Sequence, residues 1–227
     1  MASPIPETGT SRELADRLAH VRWIAGGTAA GKSTLTRILA DQHGADVYNG
    51  DRAEHSWLAR CTPQHHPHLS AMRGVSPGGM WEGRTPRQVF QAMASLHGET
   101  IGFVIEDLLT MPADHIILVD YFGILPAHLA PLLYRPNQAV FLLPTPEFRQ
   151  NALRARYADP ARARANWGSN DPETMLAMRL ARDALWDEEV RSQADGHALN
   201  IITVDGSTPA TDLAGQLATH FGLGRSA

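Results

Sequence analysis

Lysine is nearly absent from this 227-residue chain: Lys32 is the single lysine among 20 lysine and arginine side chains. A GC-rich genome that avoids lysine codons accounts for the bias. Cysteine is equally scarce. Cys61 stands alone, which excludes an intramolecular disulfide and fits a reducing compartment. No apolar run approaches the roughly 18 residues that span a bilayer. The first dozen residues show no basic stretch followed by an apolar one, so no leader is expected. An excess of positive charge is missing too. The formal net charge is −4, which argues against a broad nucleic-acid-binding surface. These absences lead to the expectation of a cytoplasmic protein with neither membrane nor nucleic acid as partner, acting as a monomer or homodimer.

What is present suits one domain. The apolar fraction is 43%, and this length buries a core without disulfides. Residues 1–20 read as an N-terminal extension, frayed up to residue 11 and helical over 13–20. Residues 21–227 form the domain. Apolar runs at 21–25, 45–48, 115–119, 138–143 and 200–204 read as strands. Helical spacing or cap signals fill the intervals at 33–43, 86–110, 126–133, 146–157, 172–194 and 208–221. The cap-then-proline signals are Thr85-Pro86, Thr145-Pro146 and Asp171-Pro172. Strands that alternate with helices predict an α/β fold, a parallel sheet covered on both faces. Residues 55–83 read as irregular, so the stretch 55–110 is expected to be a substrate-binding insertion. Residues 158–170 read as a polar, arginine-rich stretch.

The lone lysine sits inside Gly26-Gly27-Thr28-Ala29-Ala30-Gly31-Lys32-Ser33. This is the pattern G-x-x-x-x-G-K-[ST], placed between a strand and a helix. Glycines let the backbone curl so that successive N–H groups face phosphate oxygens, and the helix that follows presents its positive end to them. Lys32 then reaches the β- and γ-phosphates, and the Ser33 hydroxyl ligates Mg²⁺. The binding stretch is expected to run on to Thr34.

Other residues support that reading. Asp120 ends the run Ile116–Val119, where ligands meet open α/β sheets, and is a candidate for Mg²⁺ and substrate. Asp51 follows the second strand and can accept the proton of an attacking hydroxyl. Arg52 beside it is a candidate substrate contact. Arg154 and Arg156 are candidates to stabilise charge on a transferring phosphoryl group, and Arg149 to bind ATP. Gly206, in the turn before the last helix, is a candidate neighbour of the adenine. Met80, Trp81, Phe90, Met93, Tyr121 and Phe122 form a group that serves either the core or a substrate pocket, with Tyr121 assigned to substrate. His65, His66 and His68 lack the spacing of a zinc site.

With these residues in view, the sequence resembles small-molecule kinases of the P-loop fold, among them shikimate kinase, gluconate kinase and chloramphenicol phosphotransferase. The resemblance rests on GGTAAGKS, Asp51, the I-I-L-V-D run ending at Asp120, the arginines after the fourth strand and D-G-S-T-P at 205–209. The chain is also similar to bacterial kinase-like ATPases that carry the segment Leu143–Arg149. The resemblance implies a five-stranded sheet of order 2-3-1-4-5, Asp51 as base, and an arginine-bearing lid over ATP at about 149–172. It implies transfer of the γ-phosphoryl group of ATP, with Mg²⁺, to a hydroxyl of a small molecule. Antibiotic self-resistance is a special case, with nucleoside antibiotics as acceptors. A regulatory ATPase and a nucleotide-monophosphate kinase are the alternatives.

Overall fold

The computed structural model describes residues 10–224; the sequence reading of residues 1–9 lies outside them. Five strands form the sheet: β1 (Val21–Gly26), β2 (Asp46–Asn49), β3 (Ile117–Asp120), β4 (Ala139–Pro144) and β5 (Asn200–Val204). All pairs are parallel, in the order β2-β3-β1-β4-β5. This is the order that the resemblance implies.

Among the described residues, ten helices accompany the sheet. They are α1 (Ser11–Arg17), α2 (Lys32–His43), α3 (Gly50–Arg60), α4 (Pro67–Ala71), α5 (Pro86–Thr110), α6 (Pro126–Leu129), α7 (Pro146–Tyr157), α8 (Pro160–Trp167), α9 (Pro172–Gly196) and α10 (Ala210–Phe221). Single-turn 3₁₀ segments follow α6 and precede β4. The helix ends are local chemistry. The Thr85, Thr145 and Asp171 side chains each accept a first-turn N–H, with Pro at the first helical position. Gly44 closes α2 in the left-handed conformation that glycine adopts most readily.

The strands alternate their apolar side chains between two cores, the period of 2 expected of a sheet. Trp23, Val119 and Phe141 face a large core shared with α5 and α9. Ile24, Leu118 and Leu142 face a smaller one shared with α2 and α10. A third cluster lies apart from the sheet. It joins Trp81 and Val89 to Leu153, Trp167 and Leu176, with Ala29 of the glycine-rich loop packed against it.

Two expectations need correction. Residues 55–83 are not simply irregular: α3 runs to Arg60, and α4 adds a turn and a half. Trp57 drives the first, because its buried indole donates to Asp107 and its ring stacks on Phe103. The arginine-rich stretch 158–170 holds α8, capped by Asp159 and anchored by buried Trp167. In both, one buried tryptophan outweighs a polar composition.

Candidate functional site

The loop between β1 and α2 is shaped by three positive φ angles: Gly26 (111°), Ala29 (64°) and Gly31 (80°). A side chain at Gly26 would collide with the Leu142 carbonyl, so that glycine is required by close approach. Ala29 bears the strain of a left-handed non-glycine residue, as backbone at ligand sites often does. Lys32 opens α2 with its side chain buried, and its Nζ donates to the Gly27 carbonyl at 2.8 Å. Burial lowers its pKa, while the nearby carboxylates of Asp120, Asp51 and Asp183 raise it.

A cavity of about 610 Å³ opens in front of this loop. Residues 28–34 form one end. Asp51, Glu54 and Asp120 line it from the sheet side, and Arg156, Arg179 and Arg182 from the helices α7 and α9. Asn49 sets the carboxylates in place. It pairs with Asp120 in the strand register, donates to Asp120 Oδ2 at 3.3 Å, and accepts the Arg52 N–H at 2.9 Å to cap α3. That cap fixes Asp51 in the first turn of α3. Asp51 is open to the cavity space yet walled by protein. Burial raises its pKa, opposed first by Lys32 and reinforced by Asp120.

Glu54 lies one helical turn beyond Asp51, on the same helix face. Burial and the Asp51 charge push it up to about 7. Its Oε1 accepts from the Tyr121 hydroxyl at 3.1 Å, and that hydroxyl also meets His97 Nδ1 and Thr100 Oγ1. His97 is buried and lies near Arg182; burial first, then that charge, lowers its pKa to about 3. His97 is therefore a neutral partner at physiological pH.

The structure brings together Thr28, Ala29, Ala30, Gly31, Lys32, Ser33, Thr34, Asp51, Asp120 and Arg156 at the cavity. Gly26 and Gly27 form the base of the loop behind it. Five of the expected residues lie outside the lining of this cavity. Arg149 does not face the cavity: it is buried beneath the loop, 2.5 Å from Asp187 and hydrogen-bonded to the Thr28 carbonyl at 3.3 Å. Tyr121 is a core residue behind Glu54. Arg154 is exposed and outside the lining, because α7 turns Arg156 inward instead. Gly206 is exposed and packs at the Phe148 ring, away from the cavity. Arg52 is likewise exposed and absent from the lining. Of the aromatic and methionine group, Met80, Trp81, Met93 and Phe122 line the cavity, whereas Phe90 does not. His68 lines it, and His66 packs at a tilt against the Phe103 ring.

Sequence reasoning missed Glu54, Arg179 and Arg182. Glu54 was within reach, since Asp51 and Glu54 share helical spacing once α3 is recognised. The two arginines had no local signal.

Ser33 and Asp120 supply a hydroxyl and a carboxylate at the phosphate end, hard oxygen donors that suit Mg²⁺. The loop's inward N–H groups and Lys32 suit a nucleotide triphosphate. No helix among the described residues is long and apolar enough to cross a membrane.

No family model matches the chain, and no curated protein matches it. Among solved structures, a tunicamycin resistance protein of Deinococcus radiodurans is similar, with 14% identity over 92% of this chain and 99% of its own and a TM-score of 0.44. A candidate kinase of Chloroflexus aurantiacus is similar at 12% identity, over 88% of this chain and 97% of its own, with a TM-score of 0.42. The chemistry assigned to the cavity rests on this chain's own residues.

Proposed function

We propose that this protein is an ATP-dependent phosphotransferase whose acceptor is a hydroxyl of a small molecule held in the cavity. One observation carries the reading: Lys32, Asp51 and Asp120 converge on a cavity that starts at the phosphate loop and continues into a chamber walled by Met80, Trp81, Met93 and Phe122. A nucleotide triphosphate tail and an organic acceptor meet there end to end.

Ser33 and Asp120 would hold Mg²⁺, which would neutralise charge at the phosphates. Lys32 and the loop N–H groups orient the γ-phosphoryl group. Asp51 accepts the proton as the acceptor oxygen bonds to phosphorus and the bond to the bridging oxygen of ADP breaks. Arg156 and Arg179 face the same region, and both influence Asp51 electrostatically. They are placed to stabilise equatorial charge on the phosphoryl group. Water exclusion by the apolar chamber favours the acceptor over hydrolysis.

The test is ADP release by purified protein with Mg²⁺-ATP against a panel of hydroxylated metabolites and antibiotics, nucleoside antibiotics included. Lys32→Ala serves as the control. Acceptor-dependent release that disappears in the variant is expected. Release that ignores every acceptor would overturn the reading in favour of a plain ATPase.

A further inference from the structure

Arg182 is a buried cation of the cavity wall whose hydrogen bonds are incomplete. It is 5% exposed, one turn beyond Arg179 on α9, and its guanidinium lines the chamber far from solvent. Its Nη2 lies 2.6 Å from Asp183, but its Nη1 rests on the Met93 sulfur, a weak acceptor. Its Nε has no hydrogen-bond partner. The guanidinium carbon sits 5.3 Å from the Trp81 ring centre and 5.7 Å from that of Phe122. Aromatic rings next to a guanidinium leave its N–H edge as the polar contact surface, and that edge is built for bidentate binding of a planar pair of oxygens.

The charges around it point the same way. Asp183 lies behind the wall, 1% exposed, and is shared with Arg179 at 3.8 Å. Arg84 and Arg179 line the chamber as further cations, while His68 and His97 are the histidines there. Asp51, Glu54 and Asp120 are the opposing carboxylates, and burial raises the pKa of the first two. A buried guanidinium held against sulfur and rings costs free energy unless something completes its hydrogen bonds. The Phe122 ring also lies 5.7 Å from Lys32 Nζ, so one aromatic side chain separates the phosphate end from this anchor.

We propose that Arg182 is the floor of an acceptor subsite for a carboxylate, so that the acceptor is a hydroxylated organic acid with an apolar body. The apolar body packs on Trp81 and Met93, the carboxylate meets the Arg182 edge, and the hydroxyl reaches Asp51. This rests on the phosphotransferase reading for the role of the hydroxyl, but the subsite is testable by binding alone.

The experiment is isothermal titration calorimetry of the full chain, with ADP and Mg²⁺ present. The probes are 4-(hydroxymethyl)benzoate, 4-(hydroxymethyl)benzamide and benzyl alcohol. The benzoate is expected to bind about tenfold or more tighter than the amide or the alcohol, the effect of one charge-assisted pair. Arg182→Gln is expected to abolish that preference, and Arg182→Lys to retain part of it, since charge remains but the fork is lost. The probe comparison in the unmodified protein needs no variant to fold. Equal binding of benzoate and amide, or no preference for any probe, overturns the carboxylate subsite. Carboxylate-selective binding without phosphoryl transfer to any acceptor would leave the subsite standing and count against the kinase reading.

Discussion

Arg149 and Asp187 form a buried ion pair at 2.5 Å directly beneath Gly27 of the glycine-rich loop. A side chain at Gly27 would collide with both of them. The pair therefore supports the loop from behind, and Arg149 adds a hydrogen bond to the Thr28 carbonyl. Burial raises the pKa of Asp187, with Arg149 opposing, as expected where desolvation is large.

Removing one partner should be much worse than removing both. Arg149→Ala is expected to cost about 3–5 kcal/mol, because it leaves Asp187 buried and uncompensated. Arg149→Met combined with Asp187→Leu should recover most of that loss. Urea denaturation measures the stabilities, and a single and a double variant of equal stability would show that the pair carries no net interaction.

Asp51→Asn should lower acceptor-dependent ADP release by about 10²–10⁴-fold, the usual share of a general base. Affinity for ADP, read by calorimetry, should stay near that of the unmodified protein, because the phosphate loop is untouched. Unchanged turnover would make Asp51 a first-turn helix residue and nothing more.

Glu54 makes stability depend on pH in a stated direction. Its folded pKa is pushed up to about 7, above the ordinary glutamate value of 4.5. Between these values the folded state binds more protons than the unfolded one, so stability falls as pH rises from about 4.5 through 7. Glu54→Gln removes that dependence. The variant should be more stable than the unmodified protein at pH 8, by about 2 kcal/mol once partial exposure is considered. Thermal melts across pH 5–8 measure this. A variant less stable at pH 8 would show that the Tyr121 hydrogen bond outweighs the burial cost.

Pro77-Gly78 and Trp167-Gly168 are packed so closely that only glycine fits on either side. A side chain at Gly78 would strike the Trp167 carbonyl, and one at Gly168 would strike the Pro77 carbonyl. Both glycines also have positive φ. The 77–78 turn and the C-terminal end of α8 are thus coupled through one tight backbone contact. Gly168→Ala should destabilise that contact by about 1–3 kcal/mol. In limited proteolysis, ADP should protect both segments in the unmodified protein but only α8 in the variant. Protection of both segments in the variant would refute the coupling.

Thr85, Thr145 and Gly44 announce helix ends because a cap is satisfied within three or four residues, so its signal is local. The strands were legible because parallel strands buried on both faces read as short apolar runs. Arg149, Arg154 and Arg156 could not be told apart, since which arginine faces the cavity depends on how α7 rotates against α9 and the loop. Trp57 and Trp167 look like any tryptophan until packing shows that each secures a helix in a polar stretch.

The sequence by itself determined the glycine-rich loop, the lysine within it, the two carboxylates at or just after strand ends and the alternation of strand and helix. Each is written in contiguous residues, and a backbone of fixed geometry turns that contiguity into position. Only the tertiary structure decided that Glu54, Arg179 and Arg182 complete the cavity, that Arg149 and Tyr121 lie behind it, and that a methionine and two aromatic rings surround a buried guanidinium. Those choices join residues some 20 to 150 positions apart in the chain, brought together by burial of apolar surface, which is non-directional and leaves no local pattern to read.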